Sequence, residues 1–423
     1  MPGDALVAQE LPMTIDSRPA VSAICLTSGR ARLRQWLPRL GALFLSLACL
    51  PSQAANFNFP GNLPSNCSGG NGNYTCGALV LGAGDTVTVA TGTVTTIRVN
   101  GDLTTGASSR INDGGSASNL TITVDGVTTI GAGSTVASNI TGVGVINIGD
   151  KNTVTGTLTT DNAAVNVGDN SSVMGVIFTR VTGVITIGAN STVSGSLNTV
   201  TGAIEVGANS TTGALVSVSA GAITTGADSV TSGKISTGAG AVTVGARSKV
   251  SGSVTTSVGA ITIGAGATVG GKVNNLDTSE AGAVTVGDYG IVTGTILTGA
   301  GAVTLGEGAK AAGVATQDGA VTVGTFSEVS GSLCTGNSGA ITVGASSKVG
   351  GNVISKTAGA ITIGALSNVK GAVIVKGAGA RTIGAGATVG ATENSSRCAD
   401  VAAPTPAGPP KIKSREWRQL FMR

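Results

Sequence analysis

Histidine is absent from this sequence, and aromatic and charged residues are scarce. Without histidine the chain cannot build a Ser-His-Asp triad, a histidine metal site or a histidine general base. Aromatic residues make up 2% of the chain and charged residues 11%, and the charges form no basic stripe interleaved with aromatics. Although the formal net charge is +4, nucleic-acid binding therefore has little support.

Glycine, by contrast, occurs 68 times, and much of it belongs to a phrase that returns about every 19 residues. The phrase reads Gly-Ala-Ile-Thr-Ile-Gly-Ala at 259–265 and again at 359–365. Its second glycine, the anchoring glycine, occurs at positions 131, 149, 168, 188, 207, 226, 245, 264, 287, 306, 324, 344, 364 and 384. Self-similarity at a fixed period is typical of a solenoid, in which each unit buries its apolar face against its neighbours.

Each repeat reads as three short strands separated by glycine corners. Aliphatic residues occupy the third and first positions before the anchoring glycine, as Ile185 and Ile187 do, and the fifth and ninth positions after it, as Val250 and Val254 do. They alternate with Thr, Ser, Asn and small residues, which is the period of a strand with one buried face. β-Branched residues dominate, and helix formers are few. We therefore predict an all-β parallel β-helix (β-solenoid) of about 14 regular turns, each of about 19 residues and three short strands.

The first 54 residues read as a signal peptide. A basic stretch at 30–34 precedes an apolar core at 40–50 and small residues before an expected cleavage near Ala54 or Ala55. The core is too short to span a membrane comfortably. We expect an exported protein, located in the periplasm, on the outer surface or in the medium.

Three further segments follow the leader. Residues 55–127 contain less regular strands and are predicted to cap or begin the solenoid, and residues 128–391 hold the regular repeats. Residues 392–423 form a Pro-rich linker and a basic tail, which is either a solvated extension or a docking peptide. One gap between anchoring glycines is 23 residues long, and the extra residues near 274–281 are expected in a surface loop.

The cysteines acquire a meaning from the expected export. Cys67 and Cys76 bracket a short polar loop, and an oxidising compartment favours a disulfide between them, with two free thiols as the alternative. Cys334 and Cys398 lie about three turns apart, too far for a bridge unless the tail folds back. Neither a histidine nor a second CxxC-like pair accompanies these residues, so we expect no metal and no cofactor.

Two positions suggest how the stack ends. Arg381 in the last repeat and Thr128 in the first occupy a column that is otherwise mostly Ile or Val. Terminal repeats of solenoids are atypical because they stop the stack, so we predict a weakened last turn. The alternative for Arg381 is a side chain that extends from an ordinary turn to water.

Candidate chemistry is confined to a few carboxylates. Asp150 and Asp169 follow the anchoring glycine in adjacent turns, and Asp288 repeats the position later. Two such carboxylates could lie at a glycosidase-like separation of about 5 Å. Surface carboxylates beside turn glycines are far more common, so we predict a protein that is not an enzyme.

One outward column is made largely of threonine. It lies between the paired aliphatics, at Thr186, Thr224, Thr243, Thr262, Thr285, Thr304, Thr322, Thr342, Thr362 and Thr382. Such a ladder has some likeness to ice-binding β-helices, but those carry two Thr columns, and Thr also suits any outward strand position. Sugar binding on aromatic platforms is disfavoured, because the repeats contain only Phe178, Tyr289 and Phe326.

Two families resemble parts of the chain. The repeat, for example Ile261-Thr-Ile-Gly-Ala-Gly-Ala-Thr-Val-Gly-Gly-Lys-Val273, is similar to the bactofilin (polymer-forming cytoskeletal) β-helix. The front section resembles the exported β-solenoid region of MshQ-type proteins of pilus biogenesis, through Asn58-Phe-Pro-Gly61, Cys67 to Cys76, Gly82–Val89 and Asn112–Ser118. The first resemblance implies end-to-end polymerisation, and the second implies export and surface adhesion. MshQ-type proteins usually continue into large C-terminal domains, and bactofilins are typically cytosolic.

These observations predict an exported, non-enzymatic structural β-helix protein of a bacterial envelope or surface. It would act as a rigid scaffold that self-associates through its solenoid ends and contacts components of the envelope. The alternative is a surface binding module, adhesin-like or pilus-associated or, less favoured, ice-binding, that uses a flat Thr-rich face.

Overall fold

The structure is a computed structural model that describes residues 54–275 and 282–390. Within these residues the chain is a parallel β-solenoid, which confirms the predicted all-β fold. A coil contains one strand from each of three ladders. Each strand pairs in parallel with the strand at the same place one coil later, as Ile261–Ile263 does with Val284–Val286.

The three ladders run the length of the described residues. The first ladder has 16 strands there: Leu79–Leu81, Leu103–Thr105, Thr128–Ile130, Ile146–Ile148, Val165–Val167, Ile185–Ile187, Ile204–Val206, Ile223–Thr225, Val242–Val244, Ile261–Ile263, Val284–Val286, Val303–Leu305, Val321–Val323, Ile341–Val343, Ile361–Ile363 and Arg381–Ile383. The second ladder contains Asn56–Phe59, Thr86–Val89, Arg110–Ile111, Thr135–Ala137, Thr153–Thr155, Ser172–Met174, Thr192–Val193, Thr211–Thr212, Val230–Thr231, Lys249–Val250, Thr268–Val269, Glu328–Val329, Lys348–Val349, Asn368–Val369 and Thr388–Val389. The third contains Asn73–Cys76, Thr95–Val99, Leu120–Val124, Asn139–Gly142, Leu158–Thr160, Ile177–Thr182, Leu197–Thr201, Leu215–Ala220, Ile235–Ala239, Val254–Val258, Val273–Asn275, Leu333–Thr335, Val353–Ser355 and Val373–Val375.

Four elements depart from this scheme. Ile291–Thr298 and Lys310–Thr316 each run from the second ladder into the third without a break. Cys67–Gly70 pairs antiparallel with Asn73–Cys76 at the start of the third ladder. Ala117–Asn119 is a short 3-10 helix between the second-ladder strand Arg110–Ile111 and the third-ladder strand Leu120–Val124. No helix long and apolar enough to cross a membrane occurs in the part of the chain that the structure describes.

The solenoid has about 16 coils rather than the 14 counted from the sequence. Leu79–Leu81 and Leu103–Thr105 precede the first anchoring glycine of that count, yet they pair in the same ladder as the repeats. Their register joins Leu79 to Leu103 and Leu103 to Thr128, which are steps of 24 and 25 residues. Their longer corners hide these two coils from a search for a period of about 19 residues.

The core is a set of aliphatic columns that continue from coil to coil. In one coil Ile261 and Ile263 of the first ladder, Val269 of the second and Val273 of the third are each 0% exposed. β-Branched side chains suit these positions because each packs between its counterparts one coil before and one coil after. The predicted buried columns are therefore the actual core.

Two columns of hydroxyl residues also face inward, against the interpretation of Ser and Thr as outward residues. The Ser191 side chain is 1% exposed, and its Oγ accepts from the Ser171 backbone N–H at 3.1 Å and donates to the Gly168 carbonyl at 3.0 Å. In the third-ladder strand Val254–Val258, the hydroxyl of the buried Thr256 donates to the Gly240 carbonyl at 2.9 Å. These hydroxyls satisfy corner carbonyls that water does not reach.

Each coil turns after the first ladder through a residue in the left-handed region. The second residue after the corner glycine has a φ of 54° to 76° in every described coil. Asn170 and Gly266 suit this conformation, whereas Tyr289 and Phe326, both at 56°, are bulky residues that rarely adopt it. The fold thus requires the conformation at this corner even where the side chain does not favour it.

Several of the expected segments lie outside the described residues. These are the predicted leader apart from Ala54, positions 276–281 of the expected insertion and the predicted tail at 392–423.

Replacing Gly175 by alanine is expected to cost roughly 1–3 kcal/mol of unfolding free energy by overpacking. A Cβ there would lie 1.9 Å from the Gly156 carbonyl oxygen of the preceding coil. Chemical denaturation measures the loss. Gly70→Ala is the matched control, since nothing lies within 4 Å of its Cβ, and an equal effect of the two variants would contradict the close coil contact.

Replacing Ser191 by alanine should cost about 1–3 kcal/mol, because it leaves the buried Ser171 N–H and the Gly168 carbonyl without this hydroxyl. Ser194 is an exposed serine in the same coil, and Ser194→Ala should change stability by no more than about 0.5 kcal/mol. Denaturation of both variants under the same conditions provides the comparison. Equal stabilities would show that the inward serines contribute nothing.

Candidate interaction surfaces

The threonine column lies on the outer side of the first ladder. Nine threonines pair one after another without interruption: Thr224, Thr243, Thr262, Thr285, Thr304, Thr322, Thr342, Thr362 and Thr382. All nine are exposed, whereas Thr186 is half-buried and is separated from them by Glu205. Their hydroxyls therefore recur once per coil, roughly every 4.8 Å along the axis.

This surface carries one threonine column, not two. The residues on either side of each threonine point inward, as Ile261 and Ile263 do around Thr262. The next outward positions on the same face are Ala260 and Gly264. This face consequently presents a single line of hydroxyl groups and lacks the paired threonine columns associated with ice-binding helices.

The carboxylates of Asp150, Asp169 and Asp288 are hydrogen-bonded to the backbone of the next coil. Oδ1 of Asp150 accepts from the Asp169 N–H at 2.9 Å, and Oδ1 of Asp169 accepts from the Ala189 N–H at 2.7 Å. Asp288 does the same with the Glu307 N–H at 2.9 Å. These contacts give each of the three side chains a structural part in the ladder.

One ion pair marks the exposed corner of two adjacent coils. The Arg247 guanidinium donates from Nε to Oδ1 of Asp228 at 2.8 Å and from Nη2 to Oδ2 at 2.6 Å. This hydrogen bonding lowers the pKa of the Asp228 carboxyl below its ordinary value and raises the pKa of Arg247. Both groups lie at the surface, where such pairs contribute little to stability.

Further along, the same corner carries exposed apolar side chains that the sequence analysis did not group together. Tyr289, Phe326 and Leu366 occupy its left-handed position in alternate coils and are 63%, 66% and 70% exposed. The Tyr289 ring lies against Gly308 of the following coil, where a Cβ would meet it at 2.6 Å. Their shared place, two residues after an anchoring glycine, is the sequence signal that could have grouped them.

The N-terminal end of the solenoid is capped. Cys67 and Cys76 form a disulfide with an S–S distance of 2.01 Å, which ties the antiparallel strand Cys67–Gly70 over the first strand of the third ladder. Asn58 and Asn62 exchange backbone hydrogen bonds beside the second ladder, at 2.8 and 2.7 Å.

Two aromatic rings close the core beneath this cap. Phe59 and Tyr74 are 1% and 5% exposed and meet edge to face, with their ring centroids 4.9 Å apart. Their size suits a position where the narrow aliphatic columns have no preceding coil to pack against. The hairpin strand and the two rings therefore close the core at this end, although Leu79–Leu81 pairs only with Leu103–Thr105 among the described strands.

The opposite end differs, because the last described coil leaves its core side exposed. Ile383 is 38% exposed, whereas its counterpart Ile363 is 1% exposed. Arg381 stands in the core column, is exposed, and donates from Nη1 to the Val373 carbonyl at 3.4 Å. The guanidinium thus reaches from the first ladder to the third across the end of the core. Within the described residues, the strands of this coil pair only with the coil before it.

No group of three or more Cys, Asp or Glu side chains placed to hold a metal ion occurs within 54–275 and 282–390. Comparison with known proteins adds no assignment: no family model, no curated protein and no solved structure matches this chain. The β-solenoid architecture stands on the structure alone. The likeness to bactofilin repeats and to MshQ-type proteins stays a resemblance of short motifs.

Proposed function

We propose that this protein is an exported, non-enzymatic structural rod of a bacterial envelope or surface, which joins to copies of itself through a solenoid end. The observation that carries the proposal is the contrast between the two ends. One is closed by a disulfide-bonded hairpin and two aromatic rings, and the last described coil at the other has an exposed core and strands that pair, within the described residues, on one side only.

The hydrogen bonds and packing of the solenoid favour a straight, stiff stack of coils. Backbone hydrogen bonds in all three ladders run along the axis, and the aliphatic and serine columns are continuous in the same direction. Sixteen coils at roughly 4.8 Å each give a length of about 75 Å. Bending such a stack would break contacts in several columns at once.

The difference between the two ends also limits how many molecules can join. Strand edges beside an exposed core favour pairing with another chain, whereas at the N-terminal end the hairpin and the two aromatic rings close the core. Contact between two C-terminal ends uses the same surface on both partners, so it closes at two molecules. We therefore propose pairs of rods joined end to end, with further growth only if the cap opens.

The alternative, a surface binding module, is favoured by one specific observation. The uninterrupted column of nine exposed threonines presents a regular polar face more than half the length of the rod. An extended partner at a cell surface could bind along it. A single column gives less support to ice binding.

Negative-stain electron microscopy of the mature chain over a concentration series tests the proposal. We expect single rods at low concentration and rods of twice the length at high concentration. Ile383→Asp, which places a charge at the exposed end, should abolish the pairs, whereas Thr262→Tyr with Thr304→Tyr should leave them unchanged.

Two other outcomes would overturn the proposal. Monodisperse single rods at every concentration would contradict self-association and favour the binding module, whose activity the paired tyrosine variant should abolish. Polysaccharide cleavage that is lost in Asp150→Asn or Asp169→Asn would instead show an enzyme.

A further inference from the structure

The left-handed corner after the first ladder changes its composition over the last six described coils. In those coils the corner position holds, in order, Tyr289, Gly308, Phe326, Ser346, Leu366 and Gly386. Bulky apolar residues therefore alternate with small ones, and we call Tyr289, Phe326 and Leu366 the corner ridge. Since consecutive coils are roughly 4.8 Å apart, the members of the ridge recur about every 10 Å along the axis.

Neither the backbone nor the solvent favours the corner ridge. Its three residues have φ values of 56° to 58°, a region that bulky side chains rarely adopt, and all three are exposed to water. Earlier coils hold residues that suit the same position, namely Asn170, Asn190, Asn209 and Asp228. The recurrence of an unfavourable choice in alternate coils indicates an interaction outside the chain that buries the ridge.

A second copy of the chain fits the ridge, because the ridge is complementary to its own reversed sequence of residues. In an antiparallel pair, the first of these six coils lies beside the sixth of the other molecule, the second beside the fifth and the third beside the fourth. Phe326 then lies at the level of Ser346 of the second copy, and Leu366 lies at the level of its Gly308. A two-fold axis relates the copies, so the contact uses one surface twice and closes at two molecules.

The bulky side chains also meet one another in this arrangement. The Tyr289 ring lies against Gly308 of its own chain, so Leu366 of the second copy packs on the outer face of that ring. The two-fold axis repeats this contact at the other end of the ridge. At the centre, the two Phe326 rings are about one coil apart along the axis and cover each other.

Charged residues beside the ridge are complementary in the same pair. Two positions after the corner, the outward column of the second ladder holds the exposed residues Lys310, Glu328 and Lys348 in adjacent coils. The two-fold axis sets this column opposite the same column of the other molecule, and it brings Glu328 opposite Lys348 of the second copy. Glu328 already pairs with Lys310 of its own chain at 3.3 Å, so it then lies between two lysines. This contact occurs twice in the pair.

The acidic residues on the other side of the ridge face alanines in this arrangement. Asp288 and Glu307 immediately precede the corner position in the first two of the six coils. Their counterparts in the second copy are Ala385 and Ala365. The pair therefore sets neither carboxylate against a like charge, which would oppose association.

A parallel pair in register would fit less well. Each member of the ridge would meet its own counterpart, and the small residues Gly308, Ser346 and Gly386 would face one another across unfilled gaps. Such gaps forfeit the contacts that stabilise an interface. Packing therefore selects the antiparallel pair.

We propose that two copies of this protein pair side by side and antiparallel through the corner ridge. Six of the 16 coils overlap, so the pair is about 125 Å long with a thick centre, whereas two rods joined end to end measure about 150 Å. The ridge lies along the side of the solenoid, so this contact is separate from the end contact proposed above and does not depend on it. Its small width places it in the weak class of interfaces.

Crosslinking of introduced cysteines in the full-length chain tests the arrangement. Glu307→Cys and Ala365→Cys are made in separate chains that also carry Ile383→Asp, so that end-joined pairs do not contribute. A short bismaleimide should link the two variants when they are mixed, and peptide mapping should locate the link between positions 307 and 365. Neither variant should link to itself, because the two copies of either position lie three coils, or roughly 14 Å, apart along the axis.

Further substitutions in both chains of the mixture test the contacts. Phe326→Ser should lower the yield of the link about tenfold, since it removes the central pair of rings. Val143→Ser is the matched control, because it changes an exposed apolar residue at the corner between the third and first ladders, and it should leave the yield unchanged. Glu328→Lys should also lower the yield, and the addition of Lys348→Glu should restore it.

Three results would overturn the proposal. Each variant linking to itself would show a parallel pair, and no link in the mixture at any protein concentration would show that the ridge does not pair. A yield that Phe326→Ser leaves unchanged would show a contact elsewhere. None of these results bears on the end contact, which Ile383→Asp removes from every sample.

Discussion

The structure depends on one constraint, that each strand must hydrogen-bond to its counterpart one coil earlier and one coil later. The spacing between strands is then about 4.8 Å everywhere, so every coil must repeat the same path within a small tolerance. That requirement explains why glycine stands where the backbone of one coil touches the next, as Gly175 does at Gly156. It also explains why the corner after the first ladder keeps a positive φ even at Phe326.

The polar groups inside the solenoid follow from the same constraint. Corners cannot join the ladders, so some of their carbonyls need donors from side chains. The inward Ser191 hydroxyl donates to the Gly168 carbonyl of the preceding coil. The inward Thr256 hydroxyl donates in the same way to the Gly240 carbonyl at a different corner. At the outer edge of the corners, Asp150 and Asp169 accept backbone N–H groups in the same way. Polar residues therefore stabilise the stack on both sides of the chain.

The core and the three-stranded coil could be predicted because both depend on the period of the aliphatic residues. Ile261 and Ile263 recur with the anchoring glycine, and their burial follows directly. The inward direction of Ser191 could not be predicted, since a hydroxyl suits an outward position equally well until the corner carbonyls are placed. The coils at Leu79 and Leu103 were missed because their long corners break the period. Grouping the corner side chains Tyr289 and Phe326 required the register between coils, which the structure supplies.

Hydrogen exchange of the mature chain, followed by mass spectrometry, tests most directly the claim that the core of a ladder-bonded stack is closed at the N-terminal end and open at the last described coil. Protection should be high and similar from the N-terminal strands through the middle coils, and should fall only in the strands Arg381–Ile383 and Thr388–Val389. Equal protection at both ends, or faster exchange at Asn56–Phe59 than at Arg381–Ile383, would contradict the account.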